Sequence, residues 1–199
     1  MNAQCSSCER FITDERPTQQ EIPAITNKAS FSDKVAFVTG AGAGIGKATA
    51  IAFAQEGARV AVVGIAEPGL RETVRHIEAA GRRAMAIRCD VSDEDGIRRA
   101  VEAFGGIDFA FNNAGIEQPP ATAADIASNE FDRLIAVNLR GVFLSMKYQI
   151  PQLIKRGGGA IVNTSSGAGV KGFRNQAAYA ASKHGMIGLS KSAAAGLGV

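Results

Sequence analysis

The sequence predicts an α/β fold in which a parallel β-sheet is covered by helices on both faces. Short apolar runs of about five residues recur from residue 34 onward, as expected for buried strands. Segments with helical periodicity separate these runs, and glycine or proline marks several of the boundaries. Because parallel neighbours need a crossover between them, this alternation indicates right-handed βαβ units.

The first βαβ unit is predicted over residues 34–63. Residues 34–38 (KVAFV) and 59–63 (RVAVV) are apolar runs of strand length. Between them, residues 44–56 carry apolar side chains at helical spacing, and Gly57 provides a stop. The loop that opens this helix contains four glycines on alternate positions: Gly40, Gly42, Gly44 and Gly46.

Two further strands follow, each after a predicted helix. Residues 68–80 form a helix with a proline near the start and a glycine after the end. Residues 84–88 (AMAIR) are the third strand. A helix is predicted over 93–104, with Ser92 as its N-cap, and residues 107–111 (IDFAF) are the fourth strand.

The last part of the chain contains two long helices. One is predicted over residues 127–154, where Pro151 should bend the helix or restart its last turn. Residues 160–164 (AIVNT) are the fifth strand, and residues 177–195 form a final helix rich in Ala, Ser and Gly. The predicted fold is therefore a Rossmann-like, doubly wound parallel sheet.

Composition limits the class of protein. The chain has 199 residues, 46% of them hydrophobic, which predicts one domain with a core over residues 31–199. Residues 1–30 are polar and are interpreted as a flexible extension. The net charge of +3 is small and spread along the chain, so we expect no nucleic-acid partner. The sequence contains no run of about 18 apolar residues, which argues against a membrane span.

Cysteine and histidine usage predicts a cytoplasmic protein without a metal site. Cys5 and Cys8 form one CxxC with no second ligand pair, which is a weak zinc or redox signal. Cys89 ends an apolar run and is interpreted as a small core residue. His76 and His184 both lie on predicted helices at solvated positions. The N-terminus lacks the apolar region of a signal peptide.

The glycine loop supports two interpretations. It is either a tight turn needed for strand–helix packing or a cradle for a phosphate group. Its place between a buried strand and a helix favours dinucleotide binding, because the N-terminus of a helix presents free N–H groups and a positive dipole end.

Further motifs follow the glycine loop in a fixed order. Thr39 to Gly46 match TGxxxGxG, Asp90-Val91 follow the third strand, and residues 112–115 read Asn-Asn-Ala-Gly. Asn138 stands in VNLRG, and Ser166 precedes the YxxxK pair of Tyr179 and Lys183. Together these motifs, over roughly residues 32–195, resemble the short-chain dehydrogenase/reductase family.

The resemblance implies an NAD(P)-dependent oxidoreductase that interconverts a secondary alcohol and a ketone. It implies four catalytic residues: Asn138, Ser166, Tyr179 and Lys183. It implies that the cofactor is held by Thr39, Gly40, Gly44, Ile45, Gly46, Gly64, Asp90, Val91, Asn112, Ala114, Gly115, Tyr179 and Lys183.

The chemistry of these residue types agrees with the implied roles. Tyr179 and Lys183 are four apart on a helix and share one face. An ammonium beside a phenol stabilises the phenolate, so Tyr179 can act as general acid or base. Ser166 can donate a hydrogen bond to the substrate oxygen, although a slip of one residue would exchange it with Ser165. Asn138 either holds a water beside Lys183 or bonds helix backbone.

The cofactor's second ribose is usually recognised at the end of the second strand. An acidic residue there binds the hydroxyl of NAD, whereas a nearby Arg suits the phosphate of NADP. The position is Gly64, so neither residue type is present. Glu67 could reach a hydroxyl, and Lys47 or Arg71 could reach a phosphate. The absence of an acid favours NADP slightly.

Substrate contacts and assembly are also implied by the resemblance. The loop after the fifth strand offers three candidate substrate contacts: Phe173, Arg174 and Gln176. The helices over 127–154 and 177–195 resemble the pair that forms the family's dimer interface, which predicts a homodimer or homotetramer.

The family normally continues beyond the catalytic helix with two more strands, a loop at the nicotinamide and a substrate lid. The sequence ends at Val199, just after this helix. We therefore expect the fifth strand to be an exposed edge and one wall of the substrate pocket to be missing. An alternative follows from this expectation: a non-catalytic relative that binds cofactor weakly or associates with a partner.

Overall fold

A computed structural model of the chain describes residues 30–197. Residues 1–29 of the predicted extension, with the Cys5 and Cys8 pair, lie outside the described residues. Within residues 30–197 no helix is both long enough and apolar enough to cross a membrane.

Strands and helices alternate as predicted, and most boundaries agree within two residues. The strands are β1 Val35–Thr39, β2 Arg59–Gly64, β3 Ala84–Arg88, β4 Phe109–Asn112 and β5 Ala160–Asn163. The helices are α1 Gly44–Gln55, α2 Glu67–Ala79, α3 Glu94–Ala103, α4 Ser128–Ile135, α5 Gly141–Lys155 and α6 Ala177–Gly196. A π-helical segment, Ala136–Arg140, joins α4 to α5, and Gly167–Gly169 form a 3₁₀ turn.

The described strands form one sheet in the order β3-β2-β1-β4-β5, and every pair is parallel. The chain moves outward from β1 to β3 and then crosses back to β4 and β5. This reversal confirms a doubly wound sheet, whose switch point lies between β1 and β4. Within the described part of the chain, β5 is an edge strand, and Val162 on it is 56% exposed.

Alternate residues of the central strands pack on opposite faces, as expected for a strand period of two. Phe37 and Val63 belong to the core beside α3 and α5, whereas Val38 and Val60 belong to the core beside α1 and α2. Burying each such side chain contributes about 1.5–3 kcal/mol. Cys89 lies in the first core, as predicted, and burial raises the pKa of its thiol to about 11.

The predicted cap of the third helix is wrong. Asp93 holds the N-cap position of α3 without a side-chain capping bond. Ser92 instead donates its backbone N–H and its hydroxyl to Asp90 Oδ1, at 2.9 and 2.7 Å. The Ser92 hydroxyl is thus bonded within a turn that ends one residue before the N-cap.

Pro151 does not restart the long helix, because α5 continues through it to Lys155. Pro151 is exposed, so water can reach the Lys147 carbonyl that lacks its usual helical partner. The irregularity lies instead in the π-helical segment, which begins at Ala136, fifteen residues before Pro151. Such segments are frequent at functional sites.

Candidate active site

A cleft of about 530 Å³ lies at the carboxyl ends of β1, β4 and β5. It therefore stands at the topological switch point, where open α/β sheets bind ligands. The glycine loop and the first turns of α6 both contribute to its lining. Its lining comprises Gly40, Ala43, Gly44, Ile45, Asn113, Ala114, Gly115, Ile116, Glu117, Thr164, Ser165, Ser166, Tyr179 and Lys183.

The structure shows the packing role of the glycine loop, and its role as a phosphate cradle stays a prediction. A Cβ on Gly46 would overlap the carbonyl oxygen of Gly40 and lie 2.8 Å from Asn113 Nδ2, so close packing excludes any side chain. Gly44 has a φ of +52°, and a Cβ there would meet nothing within 4 Å. The start of α1 has no side-chain cap and no acidic residue in its first turn. The N-terminus of α1 thus faces open space suited to an anion.

Thr39 and Asn113 join the glycine loop to the loop after β4. Thr39 is buried, and its Oγ1 accepts hydrogen bonds from the N–H groups of Asn113 and Ala114, each at 3.0 Å. Asn113 Nδ2 packs so close to Gly40 and Gly46 that a Cβ on either glycine would lie 2.9 or 2.8 Å from it. Sequence reasoning missed Asn113 as a site residue, although it is the second residue of the Asn-Asn-Ala-Gly motif.

The Asn112 side chain does not line the cleft, and its role as a cofactor contact stays a prediction. Asn112 is 2% exposed, and its Nδ2 donates to Gln149 Oε1 at 3.0 Å and to Asn163 Oδ1 at 2.9 Å. Gln149 Nε2 donates back to Asn112 Oδ1 at 2.8 Å. Gln149 belongs to α5 and Asn163 to β5, so the Asn112 side chain links β4 to both elements.

Tyr179 and Lys183 share one face of α6, as their spacing predicts. Lys183 Nζ lies 5.7 Å from the centre of the Tyr179 ring. The Lys183 side chain is almost fully buried, and its Nζ donates to the Thr164 carbonyl at 2.9 Å. Burial lowers the pKa of the Lys183 ammonium from its ordinary value. A buried cation beside a phenol is a pairing that favours proton exchange.

Two adjacent serines, Ser165 and Ser166, line the cleft together with Lys183. Ser166 Oγ accepts from the Ala168 N–H at 3.1 Å and caps the 3₁₀ turn, so its own hydrogen is free to be donated. The Oγ atom of Ser165 is buried and has no hydrogen-bond partner among the described residues. The geometry therefore favours Ser166 over Ser165 as the donor to a ligand.

Asn138 lies fully buried in the π-helical segment and holds loop backbone. Its Oδ1 accepts from the Ile116 N–H at 2.8 Å, and its Nδ2 donates to the Ile116 carbonyl at 2.9 Å. A third contact joins Nδ2 to Ser182 Oγ at 3.3 Å. Asn138 thus fixes the loop that follows Gly115. The backbone that it bonds belongs to this loop and not to a helix.

Six predicted cofactor residues are absent from the cleft lining: Thr39, Gly46, Gly64, Asp90, Val91 and Asn112. A Cβ on Gly64 would sit 3.3 Å from Leu70, at the end of β2. Asp90 accepts its two bonds from Ser92, and the Val91 side chain packs in the core against Gly141.

The three candidate substrate contacts are likewise not part of the cleft lining. Phe173 is 44% exposed, and Lys171 Nζ lies 5.0 Å from the centre of its ring. Arg174 is exposed, and Gln176 precedes the first turn of α6.

The groups considered for the cofactor's second ribose are already engaged in ion pairs. Arg71 bonds Glu67 through two nitrogens, and Lys47 Nζ lies 2.6 Å from Glu72 Oε1. The hydrogen bond from Arg71 lowers the pKa of Glu67. Any ribose contact from these side chains would therefore compete with an exposed ion pair, which is worth little.

Gln118 is a further residue that sequence reasoning missed. It is 5% exposed and bonds the start of α6 from the loop after β4. A single glutamine in a loop has no spacing rule that would identify it.

The comparisons with known proteins agree with this geometry. A family model described as short chain dehydrogenase matches residues 34–198. Cyclohexanol dehydrogenase of Acinetobacter sp. (strain SE19) is 43% identical over 168 residues, which are 82% of this chain and 67% of that protein. Levodione reductase of Leifsonia aquatica is 39% identical over 170 residues, 82% of this chain and 64% of that protein.

A solved structure has the same fold. NAD⁺-bound xylitol dehydrogenase superposes with a TM-score of 0.82 at 40% identity, covering 84% of this chain and 66% of that one. The chain thus spans about two thirds of the length of the relatives that it matches. On the family model and these relatives together, the chain belongs to the short-chain dehydrogenase family.

Proposed function

We propose that the chain is an NAD(P)-dependent oxidoreductase that interconverts a secondary alcohol and a ketone. One observation carries the proposal: a single cleft joins the glycine loop to Ser166, Tyr179 and Lys183. The proposal rests on a phosphate-type cradle and a proton-transfer group that line the same cleft.

The residues present fit a dinucleotide. The open space at Gly44 and the uncapped start of α1 suit a pyrophosphate. Lys183 and the cleft-lining residues Asn113 to Gly115 would hold the nicotinamide half. When bound, the cofactor supplies the hydride acceptor or donor.

The chain's own residues supply orientation and proton transfer. Tyr179 gives a proton to the forming alkoxide in ketone reduction and takes one from the alcohol in the reverse direction. Ser166 donates a hydrogen bond to the same oxygen, where negative charge develops. Lys183 provides the positive charge that stabilises the Tyr179 phenolate.

The cofactor preference is proposed to lean slightly to NADP. No acid stands at Gly64 to bind a ribose hydroxyl. Arg71 and Lys47 could turn to a phosphate, because the exposed ion pairs that now hold them are weak. Titration of the purified chain with NADH and with NADPH, followed by nicotinamide fluorescence, tests this: tighter binding of NADPH supports the lean, and tighter binding of NADH overturns it.

Turnover on a panel of alcohols and ketones tests the reaction. Cyclohexanol and cyclohexanone head the panel, because cyclohexanol dehydrogenase is among the relatives. We expect Tyr179→Phe to lower kcat at least ~100-fold while cofactor binding persists. Tyr148→Phe is the matched control, since Tyr148 bonds Glu94 away from the cleft. Cofactor binding without turnover on any member of the panel would favour the non-catalytic alternative.

A further inference from the structure

The Gln118 side chain connects the loop after β4 to the beginning of α6. Its Oε1 accepts a hydrogen bond from the Tyr179 N–H at 3.1 Å. Its Nε2 donates to the Asn175 carbonyl at 3.0 Å. At 5% exposure this carboxamide has little access to water, so both bonds matter for its burial.

The bond to Tyr179 satisfies a helix N-terminus from a distant part of the chain. The first N–H groups of a helix have no partner within it, and an N-cap side chain usually supplies one. Gln176 holds the N-cap position of α6 but makes no side-chain capping bond. Gln118, 61 residues before Tyr179, supplies the acceptor for the Tyr179 N–H instead.

The bond to Asn175 holds the chain just before the helix. Asn175 has a φ of +62°, a left-handed conformation that costs free energy in a residue with a side chain. Its carbonyl also accepts from the Ala121 N–H at 3.2 Å. Gln118 therefore bonds the backbone on both sides of Gln176, at Asn175 and at Tyr179.

The loop that carries Gln118 is itself fixed. Asn138 bonds both the N–H and the carbonyl of Ile116, two residues before Gln118. Asn138 lies in the π-helical segment between α4 and α5 and is fully buried. Asn138 thus holds Ile116, the backbone runs two residues on to Gln118, and Gln118 holds Tyr179. In this way the π-helical segment is linked to the first turn of α6.

We propose that Gln118 is a positioning residue that sets where the Tyr179 side chain stands in the cleft. It touches none of the reacting groups and acts by fixing the first turn of α6. The kinetic consequence rests on the proposed function. A displacement of about 1 Å at a reacting group can cost up to 100-fold in rate.

Three variants separate this role from general stability. Gln118→Met keeps the length of the side chain and removes both bonds. Gln118→Glu keeps the acceptor for Tyr179 and removes the donor to Asn175. Gln55→Met is the control, because it makes the same change from glutamine to methionine at an exposed position of α1.

The first readout is amide hydrogen exchange at residues 177–180. In Gln118→Met we expect exchange of the Tyr179 N–H to become about tenfold faster, while α1 and β1 keep the parent rates. Gln118→Glu should retain the protection, since its carboxylate still accepts the bond. Unchanged exchange in Gln118→Met, or equally faster exchange throughout the chain, overturns the proposal. If Gln118→Met does not fold, an unprotected Tyr179 N–H in Gln118→Glu overturns it.

The second readout is the near-ultraviolet circular dichroism of tyrosine, which depends on the surroundings of the ring. The chain has two tyrosines and no tryptophan, so a Tyr148→Phe background leaves Tyr179 as the one tyrosine that contributes. Gln118→Met should change the Tyr179 band, because the ring no longer stands in the same place in the cleft. An unchanged band overturns the proposal.

Kinetics then distinguish the two levels of inference. If the parent turns over substrate, Gln118→Met should lower kcat ~10- to 100-fold and leave the KM for cofactor within about twofold. An unchanged kcat overturns the positioning role. If the parent shows no turnover, the proposed function fails, and amide exchange and the tyrosine circular dichroism still decide whether Gln118 positions Tyr179.

Discussion

Lys183, which we propose as a catalytic residue, lies in an unfavourable environment for its charge. Its ammonium is buried and lies beside the Thr164 carbonyl and the Tyr179 ring. Burial lowers its pKa, so the folded chain holds this proton less tightly than the unfolded chain does. This desolvation cost falls on a residue that we propose for proton transfer, and perturbed pKa values often occur at such sites.

Replacing Lys183 should therefore remove function without removing the fold. We expect Lys183→Met to lower turnover at least ~100-fold. The free energy of unfolding at neutral pH should change by less than about 2 kcal/mol, because relief of desolvation opposes loss of the Thr164 bond. Chemical denaturation and steady-state kinetics measure the two effects, with exposed Lys191→Met as the control on the same helix.

The pH dependence of this difference has a definite sign. Below the lowered pKa of Lys183 both states carry the proton, and the parent bears the full desolvation cost. As pH rises through that value toward about 10.4, the cost disappears. The parent should gain stability relative to Lys183→Met over this window. A loss over the same window would contradict the assigned cause.

At the scale of elements, the contact between β1 and α1 requires glycine. A Cβ on Gly46 would overlap backbone, whereas a Cβ on Gly188 in α6 would meet nothing within 4 Å. We expect Gly46→Ala to destabilise the chain by about 1–3 kcal/mol and to abolish NAD(P)H binding. Gly188→Ala should stabilise by up to about 1 kcal/mol, since alanine favours helix. Thermal denaturation and cofactor fluorescence check both results; equal effects would refute the packing argument.

Asp108 ties three elements together at the other end of the sheet. Its carboxylate accepts from the Val35 N–H at 2.9 Å and from Arg156 Nη2 at 2.8 Å, with Lys34 Nζ at 3.4 Å. Burial by itself would raise the pKa of Asp108. The bonds from Arg156, Val35 and Lys34 outweigh burial and hold the pKa below its ordinary value.

Asp108→Asn should therefore cost about 3 kcal/mol of unfolding free energy at pH 7. Because the folded pKa is depressed, this stability is present above the unfolded value near 3.9 and is lost as pH falls through the folded value. Denaturation at several pH values should show the two proteins converging in acid. Exposed Asp132→Asn is the control. A difference that persists unchanged below pH ~3 would exclude the ionic contribution.

At the scale of the whole molecule, assembly remains a prediction. The helices expected to form the dimer interface are present as α4, α5 and α6, and Phe143 on α5 is 46% exposed. Light scattering should report a homodimer or homotetramer. Phe143→Glu should shift it to the monomer by placing a charge in an apolar contact. Met85→Glu on β3, remote from these helices, should leave the size unchanged; a monomeric parent would contradict the prediction.

The sequence by itself determined the order of strands and helices, the glycine loop and the Tyr179–Lys183 face. These features arise from local patterns, because the period of apolar residues and the conformational range of glycine act over a few neighbouring positions. The same locality explains the failures. Ser92 stands where an N-cap is expected, yet the nearby Asp90 carboxylate competes for its hydroxyl.

Only the tertiary structure decided the partners of polar side chains. Asn112 belongs to a motif, but its carboxamide meets Gln149, 37 residues later, inside the core. Gln118 reaches Tyr179 across 61 residues. Local periodicity carries no information about such pairs, since they depend on which elements the parallel sheet brings to the same edge. Local patterns therefore identify candidates for the chemistry, which stay predictions, whereas they do not identify the side chains that hold these candidates in place.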